Sequence, residues 1–84
     1  MQVIYSTCAK EDRAYWKKSN ANILKRIDLL ITDIKRNSYT GIGKPELLRF
    51  EKSGYWSRRI DQEHRLVYKV VDHKIYIVQC RYHY

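Results

Sequence analysis

Glu46 and His83 are the residues of this chain best suited to move a proton, and arginines stand near both in the sequence. An imidazole takes or gives a proton near neutral pH. A carboxylate accepts one from a hydroxyl held beside it. His83 lies in Arg81-Tyr82-His83-Tyr84, shortly after the apolar run Ile75-Tyr76-Ile77-Val78, and Glu46 follows Pro45. Arg58, Arg59, Arg65 and Arg81 are concentrated in the second half. A base, an acid and guanidinium groups are the parts needed to cut an RNA phosphodiester. The base removes the 2′-OH proton, a cation holds the charge growing on the phosphorus oxygens, and the acid protonates the departing 5′-oxygen. Acid–base help is worth about 10²–10⁴-fold per group, so charge stabilisation must supply much of the remainder. Arg65 and Arg59 can hold a phosphate in bidentate fashion for that purpose.

Each of these residues also has a plain structural reading. Glu46 after Pro45 suits the N-terminus of a short turn. His64, at an expected hairpin, reads as a turn residue. Trp56 reads as core, Tyr82 as core or edge packing. Tyr84 is equally a stacking surface for a base and an end cap. Single residues leave these alternatives open.

The elements that must position them fit one domain, residues 1–84, with a modest core. The formal net charge is +8 and the sequence pI near 9.7. Such a balance predicts a polyanionic partner, nucleic acid before others, with an acidic protein or a ribosome surface as the alternatives. The two cysteines, Cys8 and Cys80, make no CxxC pattern, and with the three histidines they show no zinc spacing. No metal and no cofactor is expected. Cys80 alternates with apolar neighbours and reads as a small core residue. No apolar run approaches roughly 18 residues and no signal peptide is seen, so a reduced, cytoplasmic chain away from membranes is expected.

Val3-Ile4-Tyr5 predicts a short strand. Ser6 and Thr7 can cap a first helix running to about Lys18, and Ser19-Asn20 break it and cap a second. Ile23, Leu24, Ile27, Leu30, Ile31 and Ile34 then form one helical stripe. Gly41, Gly43 and Pro45 make 37–45 a loop. Its glycines do not match a phosphate-cradling loop, because Pro45 follows Gly43-Lys44 where Ser or Thr would be needed. Three strands are expected after it, over 55–60, 65–71 and from 74 or 75 to His83. A three-residue turn Asp72-His73-Lys74, with Val71 opposite Ile75, would group Leu66, Tyr68 and Val70 with Tyr76, Val78 and Cys80. Arg65, Lys69, Gln79, Arg81 and His83 would then share an open cationic face with Val67 and Ile77.

Taken together, Gly43-Lys44-Pro45-Glu46, Ser53-Gly54-Tyr55-Trp56-Ser57-Arg58-Arg59-Ile60, Glu63-His64-Arg65-Leu66-Val67-Tyr68 and Cys80-Arg81-Tyr82-His83-Tyr84 resemble the YoeB (Txe) family of toxin–antitoxin toxins, relatives of RelE. The resemblance spans essentially the whole chain. It implies an α+β fold with two N-terminal helices packed on a small twisted antiparallel sheet. It implies a ribosome-dependent endoribonuclease that cuts mRNA in the A site of the 70S ribosome, with Glu46 as general base, His83 as general acid, Arg65 stabilising the transition state and Tyr84 positioning the nucleotide. Lys44, Arg49, Arg59 and Arg81 are the cationic candidates for RNA contact. Family members often carry lysine where Arg49 stands, which keeps the charge and changes the geometry. The resemblance also implies a cognate antitoxin with an acidic flexible segment and a tendency to form a homodimer. Two rival classes are a basic RNA- or ribosome-binding module without catalysis and an interaction protein whose final strand is completed by a partner. Binding alone needs no carboxylate on a cationic face, which favours cleavage.

Overall fold

A computed structural model describes residues 1–49 and 54–82. His83 and Tyr84, together with Ser53 of the second motif, lie outside the described residues. Strand β1 (Gln2–Tyr5) leads into helix α1 (Thr7–Ser19) and helix α2 (Ala21–Arg36). Strands β2 (Glu46–Leu47), β3 (Trp56–Arg59), β4 (Arg65–Val71) and β5 (Lys74–Gln79) follow. The sheet order is β1-β5-β4-β3-β2. The pairings β2–β3, β3–β4 and β4–β5 are antiparallel, and β1 joins β5 in parallel.

The helix boundaries follow from side chains that satisfy orphan backbone groups. The Ser6 hydroxyl accepts the Ala9 N–H at 3.0 Å and donates to the Val78 carbonyl at 2.6 Å, so one residue starts α1 and ties it to β5. Asn20 ends α1 by donating its N–H to the Trp16 carbonyl at 2.8 Å, and starts α2 by accepting the Asn22 N–H at 3.2 Å. The α2 stripe is buried as its spacing requires: Ile27, Leu30, Ile31 and Ile34 are core, with Ile23 and Leu24 packed against it. They meet Leu66, Tyr68, Ile75, Ile77 and Cys80 from the sheet. Burying each large aliphatic side chain contributes roughly 1.5–3 kcal/mol.

The hairpin register differs from the expected one. Val71 pairs with Lys74, so the turn is the two residues Asp72 and His73, both at positive φ (50° and 60°). Such a turn matches the strand twist, but it usually advertises itself with glycine, absent here. Ile75 and Ile77, not Tyr76 and Val78, therefore face the core with Val70 and Tyr68. A bulge then restores the separation of faces. Tyr68 pairs with Ile77 and Val67 with Gln79, leaving Val78 as the extra residue. Beyond it Cys80 turns inward and is fully buried.

The expected strand to His83 also stops early, at Gln79. The Cys80 N–H leaves the ladder for the Asp12 carboxylate at 3.0 Å, and the Cys80 carbonyl accepts the Trp16 indole N–H at 2.8 Å. Nor is the second face fully open. Val67 on that face is 0 % exposed and Ser57 3 %, so they form its floor.

Candidate active site

The Gly43-Lys44-Pro45-Glu46 segment is a tight turn that delivers one carboxylate to the sheet. Gly43 has φ +80°, and a Cβ there would stand 2.9 Å from Leu30 Cδ2 and 3.0 Å from the Arg59 carbonyl. Only glycine fits. Its own carbonyl accepts the Arg59 N–H at 2.6 Å, which docks the turn on β3. Lys44 also sits at positive φ, 50°. Pro45 bars its predecessor from ordinary helical geometry and fixes its own φ. Glu46 then enters the ladder opposite Ser57.

The register builds a row. Glu46 lies beside Ser57, Ser57 beside Val67, and Val67 beside Gln79, on the face away from the helices. One repeat further along, Arg59 pairs with Arg65 on that same face. Strand spacing puts the Glu46 and Arg65 backbones on the order of 12 Å apart. Two long side chains can therefore converge on a phosphodiester between them. Glu46 and Arg59 are exposed, and neither makes an ion pair with a described residue.

Arg58, next to Arg59, points the other way. Its side chain is fully buried, and all five donors are used. Nε reaches the Tyr68 hydroxyl at 3.2 Å, and Nη1 reaches Asp33 Oδ2 at 2.5 Å and the Ile42 carbonyl at 3.1 Å. Nη2 reaches the carbonyls of Asn37 at 2.6 Å and Thr40 at 2.9 Å. Arg58 is thus the fastener of the 37–43 loop, not part of the cationic face.

Arg65 is held by the turn before it. Its Nη1 donates to the carbonyls of Asp61 at 2.9 Å, His64 at 3.1 Å and, more weakly, Gln62 at 3.4 Å. Among the described residues, Nε and Nη2 carry no hydrogen bond and remain for a ligand. The turn is closed by Asp61, whose carboxylate accepts the N–H groups of His64 at 2.6 Å and Glu63 at 2.8 Å. Partial burial opposes ionisation of Asp61, but these two donors with nearby Arg65 hold it below its ordinary 3.8.

The same turn grips the segment leading to His83. The Tyr82 N–H donates to His64 Nδ1 at 2.7 Å, and the Tyr82 carbonyl accepts the Arg65 N–H at 3.0 Å. Tyr82 itself has φ +65°. Arg81, expected beside the other arginines, instead lays its guanidinium 3.4 Å from the centre of the Tyr15 ring on α1 and 4.5 Å from that of Tyr82. The structure therefore brings Glu46, Arg59 and Arg65 onto one face, and sets Arg81 apart against α1. Lys44 and Arg49 are exposed on either side of β2. A cleft of about 510 Å³, lined in part by Ile4, Tyr55, Lys69 and Tyr76, contains none of Glu46, Arg59 or Arg65. No cluster of three or more His, Cys, Asp or Glu that could hold a metal occurs among the described residues. No described helix is long and apolar enough to cross a membrane.

A sequence model of YoeB-like toxins of bacterial type II toxin–antitoxin systems matches residues 5–84. The chain belongs to the YoeB-like toxin family. The toxin YoeB of Streptomyces coelicolor is 50% identical over 84 residues, covering all of both chains. A YoeB/ParE toxin from Agrobacterium tumefaciens superposes with a TM-score of 0.97 at 38% identity, covering both chains in full. Two Staphylococcus aureus structures, a YoeB dimer and a heterotetrameric YoeB–YefM toxin–antitoxin complex, have TM-scores of 0.94 and 0.93. Both are 45% identical, and each match covers all of this chain and 98% of the other.

Within this YoeB-like toxin, the sequence reading missed β2, His64, Trp16 and Arg58. A two-residue strand has no periodicity to detect. His64 was expected as a turn residue and no more, and it is 8 % exposed, its ring edge-on to Trp16 at 4.7 Å.

Proposed function

We propose that the chain is a ribosome-dependent endoribonuclease that cuts mRNA in the A site by attack of the adjacent 2′-OH. The observation that carries this reading is the register that sets Glu46 on one sheet face with Arg59 and Arg65. Glu46 takes the 2′-OH proton, and the 2′-oxygen attacks phosphorus. Arg65, with Nε and Nη2 available, stabilises the charge that grows on the non-bridging oxygens. Arg59 binds phosphate beside it. His83 donates a proton to the 5′-oxygen as the P–O bond breaks, and Tyr84 stacks on the scissile nucleotide. The products are a 2′,3′-cyclic phosphate and a 5′-OH. These groups fill all three roles without a metal ion.

The net charge of +8 and the exposed Lys44, Arg49 and Arg59 suit a phosphate-rich docking partner such as the ribosome, and such a partner suits an activity in the cytoplasm. The same charge suits inhibition by an antitoxin with an acidic flexible segment that folds over the site. The Staphylococcus aureus relatives, described as a dimer and as a complex with YefM, support assembly with an antitoxin and with a second copy.

Ribosomes programmed with a defined mRNA provide the test. The wild-type chain should cut in the A site, with EDTA tolerated where ribosomal Mg²⁺ is preserved. A single 2′-deoxy nucleotide at the scissile position should abolish cleavage. Cleavage of that substrate at the ordinary rate would sink the mechanism. Binding without any cleavage would favour the non-catalytic RNA-binding class.

A further inference from the structure

We propose that His64 is a positioning residue, which fixes the Tyr82 peptide, the described backbone that precedes the general acid His83 in sequence; the inference rests on the nuclease reading above. Tyr82 and His83 are joined by one peptide bond. That bond's carbonyl is the Tyr82 oxygen held by the Arg65 N–H, and the preceding N–H is held by His64 Nδ1. The two anchors come from adjacent residues, one of which is the arginine that stabilises the transition state. The backbone that leads to the general acid and the phosphate-holding cation are thus indexed to one another.

The imidazole is built for this task. Nδ1 accepts a hydrogen bond, so it carries no proton in this arrangement, and any proton of the neutral ring sits on Nε2. Nε2 lies 3.6 Å from the exposed Glu63 carboxylate. The ring is walled by Trp16 at 4.7 Å and Tyr82 at 5.8 Å between centres. Trp16 is itself tied to the Cys80 carbonyl and Asp12 to the Cys80 N–H, so 80–82 is gripped from α1 as well. Tyr82 is at φ +65°, a geometry a non-glycine residue keeps only when its surroundings impose it. Only Nδ1 of His64 faces the Tyr82 N–H. An acceptor one bond further out would miss it.

Two amide variants separate this role from general packing. The Oδ1 of His64→Asn falls near the position of Nδ1, whereas the Oε1 of His64→Gln falls near Nε2. At saturating ribosomes, His64→Gln should cut about 100-fold more slowly than wild type, the loss expected when a catalytic group is misplaced by about 1 Å. Its ribosome affinity by sedimentation should not change. His64→Asn should recover most of the rate. In a His83→Ala background the His64→Gln change should add little, because its effect passes through His83. Amide exchange at Tyr82 should be slow in wild type and His64→Asn, and fast in His64→Gln. A folded His64→Gln chain that cuts at the wild-type rate, or losses that multiply in the double variant, would overturn the positioning role. A wild-type chain that binds ribosomes and cuts nothing would overturn the nuclease reading, and the positioning role with it.

Discussion

Arg58 and Asp33 meet at 2.5 Å between β3 and α2, with the arginine wholly buried and the aspartate reaching partly into solvent. The pair closes a loop around itself. Asp33 Oδ2 also accepts the Ile42 N–H at 3.0 Å, and a Cβ on Gly41 would collide with that oxygen. The loop so fastened ends in the turn that carries Glu46.

Arg58→Ala should therefore be among the most damaging single changes, although it touches neither Arg59 nor Glu46. It strands the Asn37, Thr40 and Ile42 carbonyls and the Tyr68 hydroxyl around a void. Losses above about 3 kcal/mol are the rule when a buried charge network is broken. Urea unfolding checks this. Arg58→Lys should rescue little, because an ammonium has three donors and no planar fork.

The acid side of the stability profile should carry a signature of Asp33. The Arg58 guanidinium, with the Ile42 N–H, holds its carboxyl below the ordinary 3.8. A lowered folded pKa gives stability that is full above the unfolded value and fades as pH falls through the folded one. The stability gap between wild type and Asp33→Asn should thus shrink from about pH 5 to about pH 2, as urea titrations at several pH values would record. A gap that stays constant over that range would exclude the contribution.

Ser6, Asn20 and the α2 stripe were legible because capping and helical burial are local rules, each written within a few residues. The hairpin was not. Its turn uses Asp72 and His73 where glycine is the usual sign, and the bulge at Val78 compensates across strands, which no single strand reveals. Arg58 and Arg59 show the same limit. Side by side in sequence they look alike, and strand alternation sends one to the core and the other to the exposed face. Glu46 and Arg65 stood out as candidates by residue chemistry, motif resemblance weighted them against their plain structural readings, and the pairing of β2 with β3 supplied the geometry that both lacked.

Neighbouring arginines should differ in their salt signatures. If Arg59 contacts one RNA phosphate, Arg59→Ala should flatten the log–log dependence of ribosome binding on salt by about 0.7. Val67→Thr at the buried floor should leave that slope unchanged. Sedimentation across a salt series measures both.

Glu46→Gln keeps the shape of the turn and removes the proposed base. Cleavage on programmed ribosomes should fall by about 10²–10⁴-fold. The urea midpoint should not move, since the carboxylate is exposed and unpaired among the described residues. A matched fall in stability would instead mark Glu46 as a turn residue.

The two thiols should behave oppositely. Burial, with the Asp12 carboxylate nearby, pushes Cys80 up to about 12, while Cys8 is exposed. Iodoacetamide near pH 8 should label Cys8 slowly and leave Cys80 untouched until the chain is unfolded. Mass spectrometry of labelled peptides resolves the order.

The parallel pairing of β1 with β5 has a consequence for the birth of this molecule. β1 is made before the other described elements, and the strand it needs is the last of the five described strands to be made. The Ser6–Val78 bond alone spans 72 residues of sequence. During synthesis β1 waits without a neighbour, and α1 waits for Cys80 to occupy its Asp12 and Trp16. Closure of the sheet is thereby held back until β5 has emerged. The order of synthesis and the order of pairing run opposite ways, so the earliest strand is among the last to find its place.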